Sequence, residues 1–168
     1  MAFEINTVPE FYQTYLRFLK DEEVIPFLQA SANEFNYLLN TFSNEKAEFR
    51  YAEGKWNVKE IIQHILDAER VFTYRAVRFS RNDPTDLPGF DQDHYILHSE
   101  SHGRDIKELM TEFTSTRYSA ISFFSALSED QMGRKGIASG AEFSVKALGY
   151  IISGHLLHHL EVIREKYV

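Results

Sequence analysis

None of the 168 residues is cysteine. That excludes a disulfide framework, a cysteine nucleophile and thiolate metal ligands together, so any transition-metal site must be assembled from His, Asp or Glu. Proline (4 residues) and glycine (8 residues) are scarce, and most of them fall between stretches with helical periodicity. No apolar run approaches the ~20 residues that a membrane span requires. The first fifteen residues hold no Lys or Arg, so no secretory leader is expected, and the default expectation is a soluble cytoplasmic protein. Basic residues are also in short supply: 18 Lys and Arg against 25 Asp and Glu, a net charge of -7. A duplex-binding face needs Lys and Arg gathered in one stripe to displace counterions, and no such stripe is present, so nucleic acid is not expected as a partner.

What the chain does have is apolar and helical. Hydrophobic residues make up 43% and aromatics 14%, enough for a single domain over residues 1–168 with a sizeable core. A first helical region extends from about Pro9 to Phe42, with a break near Lys20 to Glu23 and Pro26 in the first turn of the longer piece. The polar stretch "SNEKAEFRYAEGK" follows. A second helix opens at Asn57 as N-cap with Glu60 three residues on, the pattern of a capping box, and Trp56 and Ile61 as a hydrophobic staple. It should reach about Arg81, where "NDPTDLPG" stops it. The connector from Asn82 to about Glu100 is long and carries Pro84 and Pro88. A third helix is predicted over about Gly103 to Leu127. A fourth starts at Ser144 as N-cap, with Phe143 and Leu148 as its staple, and runs nearly to Val168. Four long helices and no convincing strand predict an all-α four-helix bundle.

Seven histidines are present, and three of them fall within the segment "GHLLHHLEVI". At about 100° per residue, with His155 at zero, Val145, Leu148, Ile152, Leu156 and Ile163 cluster between about 20° and 100°. His155 lies at the edge of that stripe and His159 at about 40°, inside it, while His158 lies about 60° beyond His155 on the other side. His155 and His159 therefore share the inward face, and i, i+4 spacing lets two imidazoles converge on one ion. On the second helix His64 falls beside Ile61, Ala68, Val71, Phe72 and Phe79. Three neutral imidazoles from two facing helices match the open ligand set of catalytic metal sites. Zinc, nickel, copper and iron all suit imidazole. The alternative is hydrogen-bonded core histidines. His64 lies early in its helix and the pair late in theirs, so they meet only if helices two and four are antiparallel. A simple up-down-up-down bundle forbids that, whereas the long connector, by crossing the bundle, allows it.

Four weaker candidates accompany the triad. Arg75 lies on the His64 face and could meet an anionic substrate, or else pair with an Asp or Glu. Asp67 could orient a ligand imidazole, or be a solvated helix-face charge. Asp91 and Asp93 lie in the crossover, as functional or as turn residues. His94, His98 and His102 follow i, i+4, i+8 spacing but lack a surrounding apolar stripe, and solvated side chains are expected there.

The runs "RYAEGKWNVKEIIQHILDAERVFTYRAVRFSRND", "LPGFDQD" and "SVKALGYIISGHLLHHLEVI" resemble the DinB/YfiT-like superfamily of helical-bundle metalloproteins, which is distinct from the error-prone polymerase sharing the name. The resemblance covers about Tyr51 to Val168. It implies a four-helix bundle with a crossover between helices two and three, and a metal triad matching His64, His155 and His159. It also implies nickel or zinc as metal and frequent homodimers. The activities it suggests are thiol-dependent: S-transfer with low-molecular-weight thiols such as bacillithiol or mycothiol, an isomerase, and glutathione-type relatives. The expectation is therefore a metal-dependent transferase acting on a small molecule, with metal-dependent hydrolysis or a non-catalytic metal-binding or sensing role as alternatives.

Overall fold

Residues 3–168 are described by a computed structural model. In chain order they form α1 (Glu10–Leu16), α2 (Val24–Leu39), α3 (Asn44–Glu48), α4 (Val58–Ser80), α5 (Gln92–Leu97), α6 (Ile106–Ser125), α7 (Glu129–Gly133), the strands β1 (Lys135–Ala138) and β2 (Ala141–Ser144), and α8 (Val145–Tyr167). The four long helices α2, α4, α6 and α8 are the expected bundle. None of them is long and apolar enough to cross a membrane.

The helix starts follow local chemistry. Asn57 and Glu60 form a complete capping box: Glu60 N–H donates to Asn57 Oδ1 at 2.9 Å and Asn57 N–H donates to Glu60 Oε2 at 2.8 Å. Ser144 caps α8, its hydroxyl accepting from the Ala147 N–H at 3.1 Å. The first helical region divides at residues 17–23, where Asp21 has a φ of 38°.

Side-chain pairs fix the helix directions. Arg104 donates to Gln63 and Arg70 to Glu112, so α4 and α6 run parallel. Phe35 stacks on Phe113 at 3.8 Å and Arg117 donates to the Leu28 carbonyl, so α2 and α6 run antiparallel. Near its start α8 packs Gly149 on Val24, and towards its end Arg164 pairs with Glu34, which makes α8 parallel to α2. The connector after α4 does cross the bundle, and α4 and α8 end up antiparallel neighbours. A buried ion pair ties three helices together. Arg117 Nε and Nη2 donate to both Glu69 oxygens at 2.8 and 2.9 Å, and its Nη1 donates to the Leu28 carbonyl and the Ser31 hydroxyl, each at 2.8 Å.

The sequence reading missed a hairpin. β1 and β2 pair antiparallel with Lys135 opposite Ser144 and Ala138 opposite Ala141. Their two-residue turn places Ser139 at φ 51° and Gly140 at φ 75°, the doubly left-handed geometry of a tight hairpin. Gly136 is required where β1 crosses α4, because a Cβ there would fall 2.1 Å from the Phe79 ring. The crossover joins this hairpin: Leu87 N–H donates to the Ile137 carbonyl at 2.9 Å, and Ser139 N–H to the Leu87 carbonyl at 3.0 Å.

Candidate metal centre

His64 stands on the second turn of α4, and His155 and His159 stand one turn apart on α8. Antiparallel packing brings the three to one level. The His64 and His155 Nε2 atoms approach to 2.9 Å, and those of His155 and His159 to 3.1 Å. Among the described residues this is the only group of three or more His, Asp or Glu side chains whose ligand atoms gather in this way, all within 4.8 Å of one another.

Two ordinary hydrogen bonds in series do not satisfy such a trio. His155 Nε2 faces two other Nε2 atoms, and a ring nitrogen carries either a proton or a lone pair, so it cannot accept from one neighbour and donate to the other. A cation between the three lone pairs satisfies all of them at once. Burial keeps those lone pairs free of protons. It lowers the His64 pKa to about 4, and it lowers those of His155 and His159 well below the usual imidazole value, with the neighbouring imidazoles adding to the effect. The rings are therefore neutral near pH 7, the form that binds metal. No cysteine competes as ligand.

The surroundings are aromatic. Trp56 lies 5.0 Å from the His64 ring, and Tyr15 of α1 meets His155 edge-on at 5.2 Å. His155 is buried, whereas His159 borders a cavity of about 270 Å³ lined by Tyr51, Trp56, Ile61, Val162 and Tyr167, with Lys55, Gln92 and Asp93 also on its walls. Periodicity assigns Trp56 only to a helix staple and gives Tyr15, Tyr51 and Tyr167 no role. Only the cluster of aromatics around "YAEGKW" hinted at a wall. The Tyr167 hydroxyl donates to the Trp56 carbonyl, closing the end of α8 over the start of α4.

His158 stays outside the trio. It is half-buried, its ring lies 5.5 Å from Tyr15, and its Nδ1 has no partner among the described residues. Apart from Asp93 on the cavity wall, the weaker candidates lie away from the imidazoles. Asp67 accepts from Gln63 at 3.0 Å and faces Arg70 at 3.7 Å, both on its own helix, rather than orienting His64; burial is the largest effect on its carboxyl and raises its pKa. Asp91 caps α5, its Oδ1 accepting from the Asp93 and His94 N–H groups at 3.0 Å each. Arg75 is fully buried, but among the described residues neither an acid nor the cavity meets it. It donates to the Pro88 carbonyl at 3.0 Å and to the Ser139 hydroxyl at 2.9 Å, bracing the crossover against the hairpin turn. His94, His98 and His102 are exposed, as expected, and α5 ends at Leu97, too early for a three-histidine stripe.

Known proteins share this frame. A protein of Oceanobacillus iheyensis that carries the name of a metal-dependent hydrolase is 24% identical over 143 residues, covering 82% of this chain and 79% of its own. YfiT of Bacillus subtilis, to which metal-dependent hydrolysis is ascribed and whose four-helix-bundle topology is described as unusual, superposes with a TM-score of 0.72. That match has 14% identity over 84% of this chain and 85% of YfiT. A mycothiol-dependent maleylpyruvate isomerase superposes with a TM-score of 0.69 at 13% identity, over 86% of this chain and 61% of the isomerase. The sequence model of the DinB superfamily matches residues 28–163, which span α2 to α8 and include all three histidines, so the chain belongs to that superfamily.

Proposed function

We propose that this protein is a metal-dependent enzyme acting on a small molecule, and specifically a transferase that takes a low-molecular-weight thiol as co-substrate. His64, His155 and His159 hold its divalent ion, zinc or nickel. The observation that carries the proposal is the convergence of three neutral imidazoles at the wall of a cavity that reaches only His159. Three protein ligands leave a coordination position for an outside group, and the cavity gives that group a way in. Bound there, the ion supplies Lewis acidity that favours the ionised form of an incoming thiol or water.

The chain's own residues do the rest. His155, buried beneath Tyr15, anchors the inner side of the site. Trp56, Tyr51 and Tyr167 offer apolar faces for the body of a substrate and keep bulk water from it. With no cysteine in the chain, a thiolate nucleophile has to arrive with the co-substrate. A thiol held at the ion would release its proton to solvent, so the thiolate would need no protein base for attack, and among the described residues no carboxylate bonds to the three histidines. The isomerase of the same fold, which depends on mycothiol, is consistent with this reading.

Hydrolysis is the second reading, favoured by Asp93, a carboxylate on the cavity wall, and by the relatives named for that activity. One variant separates the two. Asp93→Asn should lower hydrolysis by about 10²- to 10⁴-fold, the usual contribution of a general base, and leave thiol transfer unchanged. The primary test is metal analysis of untagged protein, followed by S-transfer assays with several low-molecular-weight thiols before and after chelation. Activity should vanish on chelation and return with zinc or nickel. Full activity in verified metal-free protein would refute a metal-dependent mechanism of either kind.

A further inference from the structure

A second pair of imidazoles stands on the crossover, away from the buried trio. His94 stands on α5 and His98 just past its end, four residues on; both are exposed, with ring centroids 4.2 Å apart. That is closer than any two rings of the buried trio, which stand 4.6 to 4.8 Å apart. His98 donates from Nδ1 to the His94 carbonyl at 2.8 Å, which fixes its tautomer and leaves the Nε2 lone pair free. Metal-bound histidines are commonly held in this way, one ring nitrogen tied to a carbonyl and the other turned to the ion. Both rings line a groove of about 370 Å³ between α5 and α4, and Asp67 contributes the one carboxylate on its walls.

We propose that His94 and His98 form a surface site for a divalent first-row transition ion, with water completing the coordination and Asp67 facing it across the groove. The ligand set is imidazole with water and a nearby carboxylate, which suits Zn²⁺, Ni²⁺ or Cu²⁺ and disfavours Mg²⁺ or Ca²⁺, which prefer oxygen cages. With two protein ligands instead of three, this site binds more weakly than the trio. It also flanks the helix whose Gln92 and Asp93 line the cavity beside His159, so both metal positions adjoin one six-residue element.

The site is tested by counting zinc equivalents in untagged protein by calorimetric titration, comparing wild type with His94→Ala/His98→Ala. Both side chains are exposed, so the variant should keep its circular dichroism and unfolding midpoint. The decisive quantity is the difference: one equivalent fewer in the variant, with the tighter phase untouched. His98→Ala alone should weaken the lost phase at least tenfold. The same number of equivalents in wild type and double variant overturns the proposal. Because only the loss on removing His94 and His98 is read, the result stands apart from whether the buried trio binds metal.

Discussion

At the residue scale, the sharpest test lies among three neighbouring histidines. His159 places Nε2 3.1 Å from that of His155, whereas His158 turns towards Tyr15 and its Nδ1 has no partner among the described residues. Replacing His159 or His64 with Ala should therefore strip most of the tightly bound metal, while His158→Ala should leave occupancy nearly unchanged. Metal content per chain, with circular dichroism to confirm folding, decides this. An empty site in His158→Ala beside a full one in His159→Ala would show the assignment to be wrong. The same burial sets a pH dependence. The His64 pKa falls from about 6.5 in the unfolded chain to about 4 in the fold, so below pH 6.5 the unfolded chain binds the extra proton. Metal-free protein should then lose stability as pH falls from 6.5 towards 4, by about 3 kcal/mol from this one group. Denaturant midpoints across that range will show it; a flat profile would mean the ring stays solvated. The trio was legible because helical phase follows from spacing alone. Partners were less so: the wheel gave the side of α4 that Arg75 occupies, but its bonds to Pro88 and Ser139 come from segments whose path no periodicity records.

At the scale of elements, α1 is held on α8 by a missing side chain. A Cβ on Gly154 would lie 2.1 Å from the Tyr15 carbonyl oxygen, a backbone atom that cannot rotate away. Gly154→Ala should push α1 outward at a cost of about 1–3 kcal/mol, typical of overpacking, and uncover the edge of His155 that Tyr15 shields. Faster amide exchange confined to Glu10–Leu16 is the expected signature, and unchanged exchange there would contradict it. The long helices were readable to within a few residues of their ends, because capping residues and apolar stripes are local signals. The hairpin was not. Each of its strands has four residues, and it bonds to Leu87 and packs on Phe79, which are distant in sequence. Short α3, α5 and α7 escaped notice for the same reason: too few turns to show a period.

Across the whole molecule, Glu69 and Arg117 bind α2, α4 and α6 into one body, and nothing in the sequence announced their pairing, since it depends on the register of two helices far apart in the chain. Arg117→Met should cost about 3–5 kcal/mol by leaving the Glu69 carboxylate buried and alone. Adding Glu69→Leu should recover much of that loss, and denaturant unfolding of the single and double variants measures both. If the single variant costs under 1 kcal/mol, a threshold set from the ~3–5 kcal/mol expected for such a pair, the pair is not the tie described. The parallel arrangement of α4 and α6 also bears on how quickly the molecule assembles. Parallel neighbours cannot form as a helical hairpin, so the chain between them has to traverse the bundle before either finds its place. Contacts such as Phe35 with Phe113 join residues far apart in sequence. Loop closure then comes before most of the gain from burial, and refolding should be slower than in an up-down-up-down bundle of equal length and stability.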